Sequence, residues 1–389
     1  VLAVAILAAA PAAAAAPFGP GRPAPAGELL LKLKKLNVLG SVLYVAAHPD
    51  DENTAMIAAF AEGRLMRTAY LSVTRGDGGQ NLIGSELGPA LGLLRTHELL
   101  AARRIDGGEQ MFTRAIDFGY SKTAEETFRV WGREEVLRDV VRAIRPFRPD
   151  VVLARFPENG DGGHGHHTAS AILAREAFRA AGDATRFPEQ IEEGLSPWQP
   201  RRLFWNGWRR DGKPIEGSIP YEIGDYVPAL GRSYTETAAE SRSQHKSQGF
   251  GSSERRGRLA NALVLLEGDA VAKDPFEGID TTWGRVRGGA GVGRLLEEAE
   301  RLFDVREPSR VLPKLLEAHA AMRGLGADPW VEVKRRELLG AIRSASGLWL
   351  EAIAASPSAT PGSAFRLKVT ALVRAGAPAT LARVAVPWG

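Results

Sequence analysis

Short apolar runs separated by amphipathic stretches constrain this chain most. In residues 41–47, Val42, Leu43, Tyr44 and Val45 follow one another. A run this short, rich in β-branched and aromatic residues, is a buried strand. Residues 67–73 and 203–208 have the same character, as do residues 151–156, which follow Arg148-Pro149-Asp150. Between them, residues 54–62, 96–104, 134–144 and 167–179 space their apolar side chains at helical period. Strands alternating with helices predict an α/β fold whose mostly parallel sheet is covered on both faces. In such sheets, sites form beyond the carboxyl ends of the strands.

From about residue 294 the pattern changes. Leu295, Leu296, Ala299, Leu302 and Phe303 recur at helical spacing, as do Leu312, Leu315, Leu316 and His319, then Leu338, Leu339, Ile342 and Leu348. A helical segment is expected over residues 288–356. Gly288–Gly293 lacks the G-x-G-x-x-G spacing of a nucleotide loop and is expected as a flexible connection. Phe365, Leu367, Val369 and Ala371 alternate with Arg366, Lys368 and Thr370, which is strand period, and a second strand is expected at residues 380–386. Two strands do not make a stable sheet alone. Residues 357–389 are therefore expected to open a β-sandwich that is cut off.

The chain of 389 residues suggests two or three domains. With 44% hydrophobic and 25% charged residues, wholesale disorder and a multi-span membrane protein are excluded. The net charge is +4 with no block of like charge, so no nucleic-acid partner is expected. Residues 1–10 are apolar, followed by Pro11 and five alanines. This resembles the apolar core and cleavage region of a secretory signal over residues 1–16, without the basic start. Export to a periplasm or the cell exterior is expected. A membrane anchor would need ~20 apolar residues, so no stable span is expected. Residues 17–40 are expected as a linker, on the strength of the Pro, Gly and Ala in residues 17–27.

There is no cysteine. Disulfides, thiolate metal sites and a cysteine nucleophile are excluded. A metal would have to be held by His, Asp or Glu, with seven histidines to draw on. Two stretches stand out. His48-Pro49-Asp50-Asp51-Glu52 follows the first strand. Neighbouring carboxylates repel unless a cation is present, and His with Asp suits Zn²⁺. The same run also fits a polar loop with Asp50 or Asp51 capping the next helix. His164-Gly165-His166-His167 follows the third predicted strand and a glycine-rich loop. His164 and His167 are three apart at a helix start and can point to one side. Both stretches lie where a shared crevice is expected.

The Ala-His-Pro-Asp-Asp-Glu run with a later His-x-x-His resembles the zinc-dependent N-deacetylases of the PIG-L/LmbE type, over about residues 41–251. Thr74-Arg75-Gly76-Asp77-Gly78-Gly79, Arg95-x-x-Glu98 and His245-Lys246-Ser247-Gln248 extend the resemblance. It implies a Rossmann-like three-layer sandwich and a deacetylase domain over residues 41–287. It also implies removal of an N-acetyl group from an N-acetylglucosamine-type amino sugar or glycan. By motif, one Zn²⁺ per chain would be held by His48, Asp51 and His167. Asp50 would be the general base toward a zinc-activated water, and His164 would stabilise the oxyanion. Arg75 is expected to bind substrate. The family's His-Pro-Asp-His stands here as His-Gly-His-His, so His166 replaces an acid and is expected either to take its role, to bind substrate or to face solvent. Cleavage of a larger amide conjugate, or carbohydrate binding without turnover, are the alternative functions. His245 is expected to be structural first. Trp198, Trp205 and Trp208 fit core packing better than sugar stacking.

Overall fold

All six residues of Ser41–Ala46 (β1) are buried in the computed structural model, which describes residues 2–6, 24–208, 213, 215–249 and 251–385. With Arg67–Ser72 (β2), Glu109–Phe112 (β3), Val151–Ala154 (β4) and Arg202–Gly207 (β5), it forms five parallel strands ordered β3-β2-β1-β4-β5. Ile219–Glu222 (β6) and Ala260–Gly268 (β7) extend the sheet, with β7 antiparallel to both β5 and β6. The sequence pattern predicted the four strands that are nearly continuous apolar runs. It missed β3, β6 and β7, whose side chains are only partly buried over much of their length.

Successive strand residues face opposite sides of the sheet. Leu43, Val45, Ala69, Leu71, Val152 and Ala154 join one core with helices Ala124–Trp131, Arg133–Phe147 and Gly165–Ala180. On the other side, Tyr44 and Tyr70 meet edge to face at 6.2 Å, and the Tyr44 hydroxyl donates to Asn206 Oδ1 at 2.8 Å. Thr54–Ala58, Pro89–Asp106 and Tyr234–Arg242 pack on one another. The first of these continues as a π-helical turn, Ala59–Gly63. Its N-cap is Asn53, whose side chain accepts from Met56 N; Asp50 and Asp51 are therefore free of that capping role.

The contacts divide the chain into two units, Gly40–Ile279 and a second built from Val1–Leu39 and Asp280–Gly389. The second unit corrects three expectations. Part of the stretch expected as linker is the helix Ala26–Lys35, and Leu29, Leu33, Leu36 and Leu39 are buried in one core with Leu296, Leu315, Leu338 and Ile342. The expected flexible glycines run into the helix Ala290–Arg301, where Gly293 lies so close to Trp283 that a Cβ there would sit 3.3 Å from the ring. Helices Leu312–Met322 and Pro329–Ala345 follow. Leu348, expected on a helix, instead opens the strand Leu348–Ala354, which pairs antiparallel with Leu367–Val373. Ala379–Val384 pairs in parallel with Leu2–Ile6. The remainder of the signal-like stretch, including its cleavage region, lies outside the described residues. Among the described residues no helix is long and apolar enough to cross a membrane.

Candidate metal centre

The chain runs outward from β1 to β2 and β3, then returns to place β4 on the other side of β1. That reversal leaves a crevice at the carboxyl ends of β1 and β4. The loop after β1 carries His48, Asp50 and Asp51, and the loop after β4 leads to His164, His166 and His167. Gly165 begins the helix there at a point where a Cβ would lie 2.3 Å from Thr123 O and 2.4 Å from Ser121 Oγ. Only glycine allows the helix start to approach this closely.

His48, Asp51 and His167 each present a ligand atom, all within 4.8 Å of one another. His48 Nδ1 is 3.0 Å from Asp51 Oδ2, and His167 Nε2 is 3.5 Å from Asp51 Oδ1. A tetrahedral zinc with bonds of about 2.0–2.1 Å holds its ligands roughly 3.3 Å apart, so the donor set and its spacing fit the metal. The surrounding bonds orient these groups. His167 Nδ1 donates to Gly162 O at 2.9 Å, which leaves its Nε2 lone pair directed at the cluster. Its ring stacks on Phe156 at 3.8 Å. The backbone N–H of His48 donates to Asp51 Oδ2 at 2.7 Å, and Tyr70 donates to His48 O at 2.5 Å. Burial alone would raise the Asp51 carboxyl, but His167 and His48 outweigh it and hold it well below the usual range. Burial would lower His167, and Asp51 overrides that to raise it. The proton and a cation compete for the same lone pair.

Asp50 lies beside this cluster with φ +91°, a conformation rare outside glycine. Such strain costs about 1–3 kcal/mol and concentrates at functional sites. Burial pushes its carboxyl up to about 6, Arg95 opposes this, and the neighbouring Asp51 adds to it. Arg95 Nη2 is 2.8 Å from Asp50 Oδ1.

His164 is the N-cap of its helix, and its Nδ1 accepts from His166 N at 3.2 Å. An accepting Nδ1 requires the proton on Nε2. Burial, then the neighbouring His48 and His167, lower His164 to about 4. It is therefore a neutral imidazole with one N–H to donate. Tyr120, largely exposed, lies over it with ring centroids 5.1 Å apart.

His166 does not face solvent. Its side chain is 0% exposed, and it packs against Phe118 and Trp131. Its Nδ1 lies 3.0 Å from His48 Nε2. The helix turns it inward while His164 and His167, ring centroids 5.0 Å apart, face the crevice. Arg75 is exposed, donates to Thr96 Oγ1 at 3.0 Å and lies over the Phe112 ring at 4.1 Å. Trp198 donates to Pro149 O at 2.8 Å and packs on the core. His319 lies on Leu312–Met322 in the other unit.

Asp117 escaped the sequence reading. It is buried, 3.9 Å from His48 Nε2 and 3.7 Å from His166 Nδ1. The one available signal was its place after β3, a strand too polar to be recognised.

Residues 43–178 match the family model described as PIG-L, GlcNAc-PI de-N-acetylase. A 1D-myo-inositol 2-acetamido-2-deoxy-alpha-D-glucopyranoside deacetylase of Kineococcus radiotolerans is 30% identical over 204 residues, covering 45% of this chain and 54% of that protein. The Streptomyces scabiei protein of the same name is 31% identical over 196 residues, covering 45% and 58%. The chain thus spans a little over half the length of these relatives. Among solved structures, N,N'-diacetylchitobiose deacetylase from Pyrococcus horikoshii aligns with 57% of this chain and 78% of its own at 19% identity, with a TM-score of 0.41. The similarity to the PIG-L family thus covers residues 43–178, the stretch that carries the loops with His48–Asp51 and His164–His167.

Proposed function

We propose that the unit Gly40–Ile279 is a zinc-dependent hydrolase that removes the N-acetyl group from an N-acetylglucosamine-type amino sugar. The observation that carries this reading is the convergence of His48, Asp51 and His167 on one point, with Asp50 beside them and not spent on that cluster. The names of the relatives, deacetylases of a glucosaminyl-inositol, support the substrate class.

His48, Asp51 and His167 would hold the ion, leaving a fourth position open. Zinc, when bound, makes water acidic near neutral pH and polarises a carbonyl. Asp50 accepts the proton of the attacking water, and burial has set its carboxyl near the pH at which a general base works best. His164 donates its Nε2 proton as a hydrogen bond to the oxygen on which negative charge grows. Asp50, which has taken up the proton of the water, then passes it to the departing amine, since the neutral His164 has no acidic proton to give up. Arg75, exposed at the carboxyl end of β2, is positioned to hydrogen-bond sugar hydroxyls or an attached polar group.

The test joins metal analysis to acetate release across N-acetylglucosamine, glucosaminyl-inositol and chitobiose substrates. One zinc per chain and acetate from at least one sugar are expected, with both lost in His167→Ala. A zinc-loaded protein that releases acetate from none of them overturns the reading.

A further inference from the structure

Two motifs have no part in the chemistry above, Arg95-x-x-Glu98 and the segment His245-Lys246-Ser247. They meet in the fold. The Glu98 carboxylate accepts from Ser247 N at 2.6 Å and from Ser247 Oγ at 2.7 Å. One turn earlier on the same helix, Arg95 donates to Pro49 O and, at 2.8 Å, to Asp50 Oδ1. Its other terminal nitrogen donates to Gly76 O at 3.2 Å. His245 Nε2 lies 3.0 Å from Glu52 Oε1, and Glu52 Oε2 accepts from the backbone N–H of Asp50 at 2.9 Å. Arg242 donates to Asp50 O at 3.0 Å. Asp50 is thus held by its carboxylate, its N–H and its C=O.

Such redundancy is what a strained residue requires, since a left-handed aspartate persists only where its surroundings over-determine it. Arg95, Glu52 and His245 are 3%, 2% and 0% exposed, so they act through Asp50 rather than on a substrate. The guanidinium matters as a shape. Lysine has one nitrogen and cannot serve Pro49 O, Asp50 Oδ1 and Gly76 O together. Gly76 is fitted to it, because a Cβ there would lie 2.2 Å from Arg95 Nη1.

We propose that Arg95, Glu52 and His245 are positioning residues for Asp50, and that the Glu98–Ser247 clasp ties the two motifs into one brace. This rests on the reading of Asp50 as the general base. In Arg95→Ala, kcat should fall about 10²-fold, the cost of a misplaced catalytic group, with KM and zinc content unchanged. Added guanidinium should restore at least part of kcat, and Arg95→Lys should not. Glu98→Gln, a milder change that spares the fold, should lower kcat several-fold at constant KM.

If Asp50→Asn retains turnover, the reading of the base fails. If Asp50→Asn is inactive while Arg95→Ala and Glu98→Gln keep wild-type kcat, the brace fails and the base stands. A crystal structure of Arg95→Ala needs no turnover at all. Asp50 relaxing out of its left-handed conformation supports the brace, and an unmoved Asp50 overturns it.

Discussion

Nε2 of His48 faces Nδ1 of His166 across 3.0 Å, at the side of the imidazole away from Asp51. A ligand histidine gains orientation and basicity from the partner on its other nitrogen. Here that partner is a second imidazole, with Asp117 a further 3.7 Å from it.

Replacing His166 should therefore weaken metal binding without touching any group in the crevice. His166→Ala is expected to lower zinc affinity about 10–100-fold, read by competition with a chromophoric chelator. His166→Asn, which keeps a polar atom near the Nδ1 position, should lose less. Equal affinity in wild type and His166→Ala would remove His166 from any role in holding His48.

Asp50→Asn separates binding from chemistry. The amide has nearly the same shape but cannot accept the proton of water. Turnover should fall by roughly 10²–10⁴, while zinc content measured on the same sample stays at the wild-type level. Loss of zinc with no change in rate would mean that Asp50 is a ligand.

Much of this arrangement was legible because local patterns and parallel topology agree. β1, β2, β4 and β5 are apolar runs, and a parallel sheet carries loops such as His48–Asp51 and His164–His167 to one edge. What stayed hidden depends on long-range pairing. Glu52 meets His245 across 193 residues, and Glu98 meets Ser247 across 149. No spacing rule announces such contacts. The inward turn of His166 was hidden for a related reason: the helix begins at Gly165, earlier than its apolar period suggests, because Ser121 and Thr123 press against it. Ala26–Lys35 was masked by the Pro- and Gly-rich lead-in before it.

That helix gives a stability prediction for the second unit. Leu33 is 1% exposed and sits among Leu296, Leu315 and Leu338. Leu33→Ala removes buried methyl groups and leaves a cavity, at a cost of about 2–5 kcal/mol. Urea unfolding should show the transition of this unit move to lower denaturant while zinc affinity is unchanged. An exposed position such as Lys34→Ala should leave it in place.

Glu52 links stability to pH. Burial would raise its carboxyl, but His245 and Arg103 outweigh burial and bring it down to about 2 from an ordinary 4.5. An acid whose folded pKa is depressed binds its proton more readily when unfolded. Its contribution is therefore complete above about pH 4.5 and is lost as the pH falls toward 2. A shift of this size corresponds to about 3 kcal/mol. Glu52→Gln removes the charge at every pH. The gap in melting temperature between wild type and Glu52→Gln should be wide at pH 7, narrow below about pH 4.5 and continue to close toward pH 2. A gap that stays constant from pH 7 to pH 3 would mean that the Glu52 charge adds nothing to the stability of the fold.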